Sequence, residues 1–431
     1  MKNARAARGI DKDPSPPAVQ PTTERIRCRA MVDVDAGSFL VIVTLAALAA
    51  LVAGVVQPRL AIPVVVIEIV GGIVVGPDLL DLATPDEFIE FFSNLGLGML
   101  FFFAGYEIDF ERIRGRPLRL AMLGWALSLA LAYTIGGILA AAGVVLSLLY
   151  TGSAMATTAI GTLIPILSDA GELRTRFGTK LLAAGAMGEF GPILLITLVF
   201  STRGTVSNAL ILLAFVAIAV ATAIVAMSEV RRGWELIERT LESSGQLAIR
   251  IAVVLIFALV ALATELGLDL LLGGFVAGVI TRIALKGRDV RIFESKLTAV
   301  GYGFFIPFFF ITSGLKFDLD ALTSSPENAL KVVLFLSLFL VVRGAPALLL
   351  YRDMDLRDRT ALAFFSATQL PLVVAITTIA VEQDHMRSST AASLVGAAIL
   401  STMLFPLTGL KLREGRAGLE PSGEPGFGAA P

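Results

Sequence analysis

The sequence predicts an all-α polytopic membrane protein of about 13 transmembrane helices, built as two inverted-topology six-helix repeats with crossed discontinuous helices. Three observations lead to this class. The 431 residues are 56% hydrophobic and 16% charged, whereas soluble domains contain about 25% charged residues. Apolar runs of membrane-spanning length follow one another along the chain. Glycine-rich and phenylalanine-rich motifs from the first half recur in the second half.

The charges of the connections support this topology. If the C-terminus is cytoplasmic, the cytoplasmic connections and tail carry 22 Lys and Arg, and the connections on the other side carry 4. Cytoplasmic loops are typically enriched in basic residues, so the bias supports the predicted orientation. The predicted spans are residues 37–56, 60–77, 91–107, 120–143, 147–168, 181–201, 206–228, 251–267, 269–285, 298–314, 332–350, 360–381 and 389–410.

The two ends of the chain are polar. Residues 1–36 and 411–431 are expected to be disordered on either side of a membrane domain at 37–410. The seven Lys and Arg before the first span lie outside in this topology, which favours a true start near Met31. An Arg-rich transit peptide is the alternative.

Composition also excludes several classes of function. One cysteine and one histidine argue against a disulfide framework and a zinc site, and no cofactor is expected. A net charge of −1 gives no reason to expect a nucleic-acid partner. The chain lacks HExxH and any nucleophile–base motif, so we expect a protein that is not an enzyme.

The repeated motifs predict two inverted copies. Gly71–Gly76 in the second span resembles Gly273–Gly278 in the ninth, and Phe101–Phe103 in the third span resembles Phe308–Phe310 in the tenth. The offset is seven spans, an odd number, so the second copy crosses the membrane in the opposite direction. Inverted repeats are common in secondary transporters. The seventh span, 206–228, remains as a linker.

Two spans carry the composition of broken helices. Small hydroxyl residues, glycine and proline gather in Ser153–Thr162 and at Pro165, and again in Ser366–Pro371, seven spans later. Interrupted helices at equivalent positions of two repeats point to a transport site. The alternative is a pair of kinked helices whose hydroxyls bond their own backbone. The helix-break candidates are Gly161, Pro165 and Pro371, and the candidate ion and proton ligands are Thr157, Thr158 and Gln369.

Glu189 is the most informative residue. It lies near the middle of the apolar run 181–201, where an acidic residue costs about 2.5–3.5 kcal/mol to insert. A carboxylate kept at this depth is suited to exchange a proton for a metal cation, which couples the movements of the two ions in opposite directions. The alternative is a structural Glu that only pairs with Arg343.

Arg343 lies deep in the eleventh span. A buried guanidinium needs an anion, helix C-terminal carbonyls, or both. We therefore expect Arg343 to be a supporting buried charge, paired with Glu189 or with carbonyls freed in the broken helices. Among the other charges, Glu107 and Asp109 end the third span and are expected to meet water. Glu68 is expected to be a buried, hydrogen-bonded acid, and the alternative is a second group on the ion pathway.

The chain resembles the monovalent cation:proton antiporter superfamily, whose membrane domain is of the sodium/hydrogen exchanger type and includes Kef-like members. Ile62-Pro63 through Glu68 to Gly76-Pro77 is similar to the second-helix signature, and Leu95-Gly96 through Gly105 to Asp109 is similar to the third-helix signature. The resemblance covers residues 37–410. It implies that the essential acid, usually Asp, falls on Glu189 and that the buried basic residue falls on Arg343.

The resemblance also implies a division of labour and a mechanism. A dimerisation part is expected at 37–107 and 251–314, a core part at 120–201 and 332–410, and elevator-like movement of the core between them. A homodimer in the cell membrane is implied. The chain departs from the family at Gly188-Glu189, where many members carry a second polar or acidic residue before the acid.

The sequence therefore predicts an antiporter that exchanges Na⁺ or K⁺ for H⁺ across the lipid bilayer by alternating access. Glu189 is expected to bind both the proton and the transported metal cation. The alternatives are a channel-like cation conduit, which would pass cations without counter-moving protons, and a non-transporting membrane sensor on the same fold.

Overall fold

The computed structural model describes residues 35–56, 63–108, 110–173, 175–199, 205–241, 243–268 and 270–414. Every regular element within these residues is helical. Two short π-helical turns, Gly301–Phe305 and Leu340–Gly344, lie within longer helical segments. The α-helices are α1 (Ala36–Val56), α2 (Val64–Val75), α3 (Glu87–Glu107), α4 (Phe110–Ile113), α5 (Arg116–Ala141), α6 (Leu148–Met155), α7 (Ile160–Asp169), α8 (Arg176–Val199), α9 (Thr205–Leu241), α10 (Leu247–Glu265), α11 (Leu270–Ala284), α12 (Arg291–Val300), α13 (Ile306–Leu315), α14 (Leu319–Thr323), α15 (Pro326–Phe339), α16 (Ala345–Leu350), α17 (Leu356–Ser366), α18 (Pro371–Glu382) and α19 (Ser388–Arg413).

Helices lie over all the predicted spans. In the part of the chain that the structure describes, nine helical segments are long and apolar enough to cross a membrane, and three apolar segments are shorter. Large apolar side chains such as Leu51, Leu213 and Val254 are exposed, as expected of a surface that faces lipid. The predicted class, an all-helical polytopic membrane protein, is confirmed. The exact count of 13 crossings and the inverted repeat stay predictions.

The two predicted disordered segments fall mainly outside the described residues, which begin at 35 and end at 414. At the C-terminal end, α19 continues to Arg413, three residues beyond the predicted end of the last span.

One helix is longer than the sequence suggests. The sequence favours a membrane span at 206–228 followed by a separate amphipathic helix on the membrane surface. The structure instead contains a single helix, α9, of 37 residues. Leu210–Ser228 of α9 has the composition of a membrane span. Gly233 lies between the two parts, but a single glycine costs a helix only about 1 kcal/mol relative to Ala and no proline is present there, so one helix continues through both.

Glycines allow α3 and α11 to pack closely. A Cβ atom on Gly105 would collide with the carbonyl oxygen of Phe275, and a Cβ atom on Gly278 would collide with that of Phe102. Small residues at such an interface let two helix backbones approach each other in a membrane. Helices α2 and α13 meet through glycines in the same way. The glycine-rich motifs that recur along the sequence therefore form the interfaces of one helix group, made of α1–α3 and α10–α13.

A second group of helices surrounds the two interrupted spans. It contains α5–α8 and α15–α19, with α5 against α6 and α8, and α19 against α15 and α17. Helices α7 and α8 contact α3 and α11 of the first group. The two groups are defined by the contacts between their helices. The functional division into a dimerisation part and a moving core stays a prediction.

Candidate functional site

Two spans are interrupted at their centres. Residues Ala156–Ala159 separate α6 from α7, and residues Ala367–Leu370 separate α17 from α18. Pro371 is the first residue of α18. A proline has no N–H to donate and disfavours helical geometry in the residue before it, so Pro371 favours the start of a helix over a helix interior.

The two interruptions contact each other and satisfy each other's polar groups. The N–H of Ala159 donates to the carbonyl of Thr368 at 2.8 Å. The Oγ1 hydroxyl of Thr158 donates to the carbonyl of Ser366 at 2.6 Å. Unsatisfied backbone groups are very costly in a membrane. Each broken helix therefore depends on the other, and the crossing acts as one structural unit.

Gln369, in the second interruption, bonds residues of the first interrupted span and of α19. Its Nε2 donates to the carbonyl of Met155, the last residue of α6, at 2.9 Å. Its Oε1 accepts from the hydroxyl of Thr157 at 3.1 Å. Its backbone N–H donates to Ser401 Oγ on α19 at 3.0 Å. Gln369 is fully buried. Its side-chain amide bonds the end of α6 at Met155 and the interruption at Thr157.

Glu189 lies on α8 beside the start of α7. Its side chain is 4% exposed. The Oε1 atom accepts from the N–H of Gly161, in the first turn of α7, at 3.3 Å. The Oε2 atom is buried and has no hydrogen-bond partner among the residues that the structure describes. A helix N-terminus carries partial positive charge and favours an anion, so α7 stabilises the charged carboxylate. The second oxygen is left available to a proton or a cation.

A proline three residues after Glu189 explains how α8 joins the crossing. Pro192 lies inside α8 and has no N–H for the carbonyl of Gly188, which is four residues earlier. That carbonyl instead accepts the N–H of Thr158 at 3.1 Å. The proline thus frees a carbonyl that attaches α8 to the interrupted span, directly beside Glu189.

Arg343 is buried, with 4% of its surface exposed, and it lies in the π-helical turn after α15. Its Nε donates to Thr158 Oγ1 at 2.9 Å, its Nη1 to Ser128 Oγ at 3.1 Å, and its Nη2 to the carbonyl of Ala184 at 3.1 Å. Thr158 in turn donates to the carbonyl at the end of α17. A cation near a helix C-terminus is favourable, so Arg343 supports that end of the crossing through Thr158.

The expected ion pair between Arg343 and Glu189 is not formed. Within the described residues, neither side chain pairs with the other, and Arg343 bonds only neutral oxygens. The other expectation was that carbonyls freed in the broken helices hold the guanidinium. The observed partners are instead the hydroxyls of Thr158 and Ser128 and the carbonyl of Ala184 on α8. The two charges instead lie at opposite kinds of helix ends, Glu189 at an N-terminus and Arg343 near a C-terminus.

The structure brings most of the predicted site residues together, but the predicted ligands Thr157, Thr158 and Gln369 bond other groups than Glu189. Thr157, Thr158 and Gln369 all lie in the crossing, and their hydrogen bonds go to helix ends rather than to Glu189. Gly161 and Pro165 both lie within α7, after the interruption at 156–159. The helix therefore breaks before these two residues and not at them.

Sequence reasoning missed four polar or backbone groups that complete the site. They are Ser128 on α5, Ala184 on α8, Pro192 on α8 and Ser401 on α19. A proline three residues after an intramembrane acid was a usable signal. Single serines in apolar helices carried none, because most such serines bond their own helix.

The fold and the site together define a class. The chain is an integral multi-pass membrane protein with two interrupted helices that cross beside a buried carboxylate, an arrangement typical of secondary transporters.

The comparisons with known proteins identify the family. The family described as "Sodium/hydrogen exchanger, transmembrane" matches residues 44–410. The chain belongs to this family. The fold is also similar to the solved structure of the sodium proton antiporter MjNhaP1 from Methanocaldococcus jannaschii at pH 8, with a TM-score of 0.58, 16% identity, and coverage of 89% of this chain and 97% of that chain.

Several relatives are similar in sequence. YjbQ of Bacillus subtilis, named as an Na⁺/H⁺ antiporter, is 26% identical over 82% of this chain and 59% of its own length. The Na⁺/H⁺-K⁺ antiporter GerN of Bacillus cereus is 24% identical over 63% of this chain and 69% of its own length. The Na⁺/H⁺ antiporter NhaS5 of Synechocystis is 29% identical over 80% of this chain and 49% of its own length. The chain thus spans about half to two thirds of the lengths of these relatives.

Proposed function

We propose that the protein is a secondary antiporter that exchanges Na⁺ or K⁺ for H⁺, with Glu189 as the shared carrier of proton and cation. The observation that carries the proposal is the geometry of this carboxylate. One oxygen is held at the N-terminus of α7, and the other is buried without a hydrogen-bond partner. The names of the relatives support the substrates: YjbQ and NhaS5 are named for Na⁺ and H⁺, and GerN also for K⁺.

Competition for one carboxylate accounts for coupling. When Glu189 is charged, the partial positive charge at the start of α7 and a bound cation both stabilise it. When it is protonated, it is neutral and cannot hold an alkali cation. Proton and cation are therefore bound in turn, and each one releases the other. A site with a single carboxylate predicts one-for-one exchange, which is electroneutral for a monovalent cation.

Arg343 serves this cycle as a fixed charge. It bonds Thr158, Ser128 and the carbonyl of Ala184, and a guanidinium does not release its proton in proteins. Its role in the proposal is to hold the crossing and α8 in register, so that Glu189 stays at the end of α7. Thr157, Thr158 and Gln369 perform the same positioning role in this conformation, and a role as cation ligands stays a prediction.

Alternating access completes the proposal. The helices around the crossing form one group, and α7 and α8 contact the other group through α3 and α11. Movement of the second group, which contains the crossing, against the first would carry Glu189 from one side of the membrane to the other. The proposal includes a homodimer in the plasma membrane, formed through the first group.

The test is a transport assay with a matched pair of variants. The protein is reconstituted in vesicles with a pH dye inside, and Na⁺, K⁺ or Li⁺ is added outside. Glu189→Gln is expected to abolish cation-driven proton movement without changing the elution volume of the purified protein. Glu68→Gln is the control, because Glu68 is also buried, on α2 outside the crossing, and it is expected to keep transport.

Two results would reject the proposal. Wild-type rates in Glu189→Gln would exclude Glu189 as the carrier. Cation uptake without proton movement by the wild-type protein would favour the channel-like alternative.

A further inference from the structure

A cavity of about 310 Å³ opens between the ends of α3, α11 and α12. Its charged lining consists of Glu107, Arg112, Arg282 and Glu294. Glu107 is the last residue of α3, and Arg282 lies in the last turn of α11. The basic residues of the connections that follow these helices place this end of the molecule on the predicted cytoplasmic side.

The charges at the cavity are unequally paired. Arg282 pairs with Glu294 at 3.6 Å, and Tyr106 donates to Glu294 at 2.8 Å. Arg112 donates to the hydroxyl of Thr179. Glu107 differs from these residues, because its Oε2 atom is buried and, within the described part of the chain, has no hydrogen-bond partner.

A second, narrow cavity continues from Glu107 towards the crossing. Its lining includes Glu107, Ile160 and Ala186. Ile160 is the first residue of α7 and precedes Gly161, the donor to Glu189. Ala186 lies on α8 three residues before Glu189, and residues spaced by three share a helix face. Glu107 thus lines both cavities, and the narrow one extends to the first residue of α7 and to the face of α8 that carries Glu189.

The size of the narrow cavity decides what can pass through it. Its volume is about 10 Å³, and one water molecule needs roughly 10–15 Å³ of this kind of volume. A hydrated alkali cation is far larger than one water, and a dehydrated cation would find no side-chain oxygens in this lining except those of Glu107, since its other residues are Ala, Ile and Leu. A proton, in contrast, can cross such a space by transfer between two carboxyls through one water molecule.

We propose that Glu107 relays protons between the cytoplasmic cavity and Glu189. In the forward step, protonated Glu107 donates its proton to an intervening water, and that water donates a proton to the Glu189 carboxylate. Glu107 is left as a carboxylate and takes a new proton from the cavity. No electrons move, and the water is regenerated. The inference rests on the proposed function and adds a route that the proton takes but the metal cation does not.

The groups that face Glu107 set the pH dependence of this relay. They are Glu189 on α8, Arg282 on α11, Glu294 on α12, Arg112 on α4 and Tyr302 in the π-helical turn Gly301–Phe305. Tyr302 interacts electrostatically with both Glu107 and Glu189. Removal of the Glu107 charge therefore changes the surroundings of Glu189 as well, and a pH profile alone does not isolate the relay.

Measuring cation/proton exchange and cation/cation exchange side by side distinguishes a residue on the proton route from a residue of the cation site. Cation-driven proton movement is followed with a pH dye in vesicles that contain the full chain. Exchange of radioactive Na⁺ against unlabelled Na⁺, which requires no proton, is followed in the same vesicles, with the corresponding K⁺ isotope if only K⁺ drives the wild type.

Glu107→Gln is expected to slow cation/proton exchange roughly tenfold or more and to leave cation/cation exchange close to the wild-type rate. Glu90→Gln is the matched control, because Glu90 is on α3 at its other end, where it pairs with Lys316. Glu107→Asp keeps a titratable group but withdraws it from the narrow cavity, so an intermediate rate with a shifted pH profile is expected.

The outcomes distinguish the relay from the proposed function. A wild type that exchanges cations for protons, with Glu107→Gln equally fast, overturns only the relay. An equal loss of both modes in Glu107→Gln also overturns it, since a structural or cation-binding role would then explain the loss. A wild type that moves no protons overturns the proposed function and the relay with it. If Glu107→Gln does not fold, Glu107→Asp decides, and a wild-type rate and pH profile reject the relay.

Discussion

The carboxylate of Glu189 lies 3.3 Å from the N–H of Gly161, so the carrier proposed for this protein is held by the first turn of a broken helix. A continuous helix could not offer this contact, because its N–H groups would already be bonded to carbonyls four residues earlier. The interruption at 156–159 therefore creates the N-terminus that faces Glu189. The broken helix and the buried acid are two parts of one site.

Shortening the acid tests that contact. Glu189→Asp removes one methylene and withdraws the carboxylate from Gly161, while the group can still bind a proton. We expect cation/proton exchange to persist at a reduced rate, with a weaker apparent affinity for the cation. Concentration series with the pH-dye assay measure both quantities. A completely inactive but folded Asp variant would contradict the idea of a simple shared carboxylate.

The residue before the carrier is restricted by space. A Cβ atom on Gly188 would lie 2.6 Å from Thr158 Oγ1 and 2.7 Å from Arg343 Nη2, closer than atoms can pack. Gly188→Ala is therefore expected to displace the guanidinium or the hydroxyl and to lower the exchange rate severalfold. Gly137→Ala is a suitable control, because nothing lies within 4 Å of a Cβ atom there. Equal transport by the two variants would show that the contacts of Arg343 do not position the site.

Gly188 is also the position at which this chain departs from its family, many members of which carry a second polar or acidic residue before the acid. A Cβ atom at 188 would meet Thr158 and Arg343. With glycine at this position, Glu189 is the one carboxylate of the pair 188–189, and the Arg343 guanidinium is bonded only to neutral groups. This arrangement supports the prediction that a single charge is exchanged for a single charge.

Electroneutral exchange can be measured directly. Concentration jumps of Na⁺ or K⁺ on a solid-supported membrane carrying the protein are expected to give no sustained transport current, because each cation that crosses is balanced by one proton. The pH dye must report exchange in the same preparation. A current that scales with the amount of wild-type protein, and is lost in Glu189→Gln, would indicate a stoichiometry other than one-for-one.

Sequence patterns predicted the elements of this fold better than the contacts between them. Apolar runs located the spans, and Pro371 marked the start of α18. The partners of Arg343 could not be predicted, because they come from α5, α8 and the crossing, which are distant in sequence. Glu107 was expected to meet water at a helix end, and the residue is half-buried beside a cavity, but the burial of its Oε2 atom was not predicted. Helices α4 and α7 pack near this end of α3. No local pattern in the sequence indicates that these helices lie next to Glu107.

A buried ion cluster at the end of α19 predicts a strong effect on stability. Arg413 donates to both oxygens of Glu172, at 2.9 and 2.8 Å, and lies 3.1 Å from Asp358. The side chains of Arg413 and Glu172 are 1% and 3% exposed. This cluster joins the connection between α7 and α8 to α17 and α19, so it links the ends of both interrupted spans to the last helix.

Arg413→Met leaves two carboxyls buried without their cation. Removing one partner of a buried ion pair typically costs about 3–5 kcal/mol, so a marked fall in the midpoint of thermal unfolding in detergent is expected. Arg291→Met is the control, because Arg291 pairs with Asp289 on the exposed surface, where the side chains are 88% and 66% exposed, and its midpoint is expected to stay unchanged. The double variant Arg413→Met/Glu172→Gln is expected to recover part of the loss, since one buried charge is then removed. Equal midpoints for Arg413→Met and Arg291→Met would show that the cluster does not hold these helix ends together.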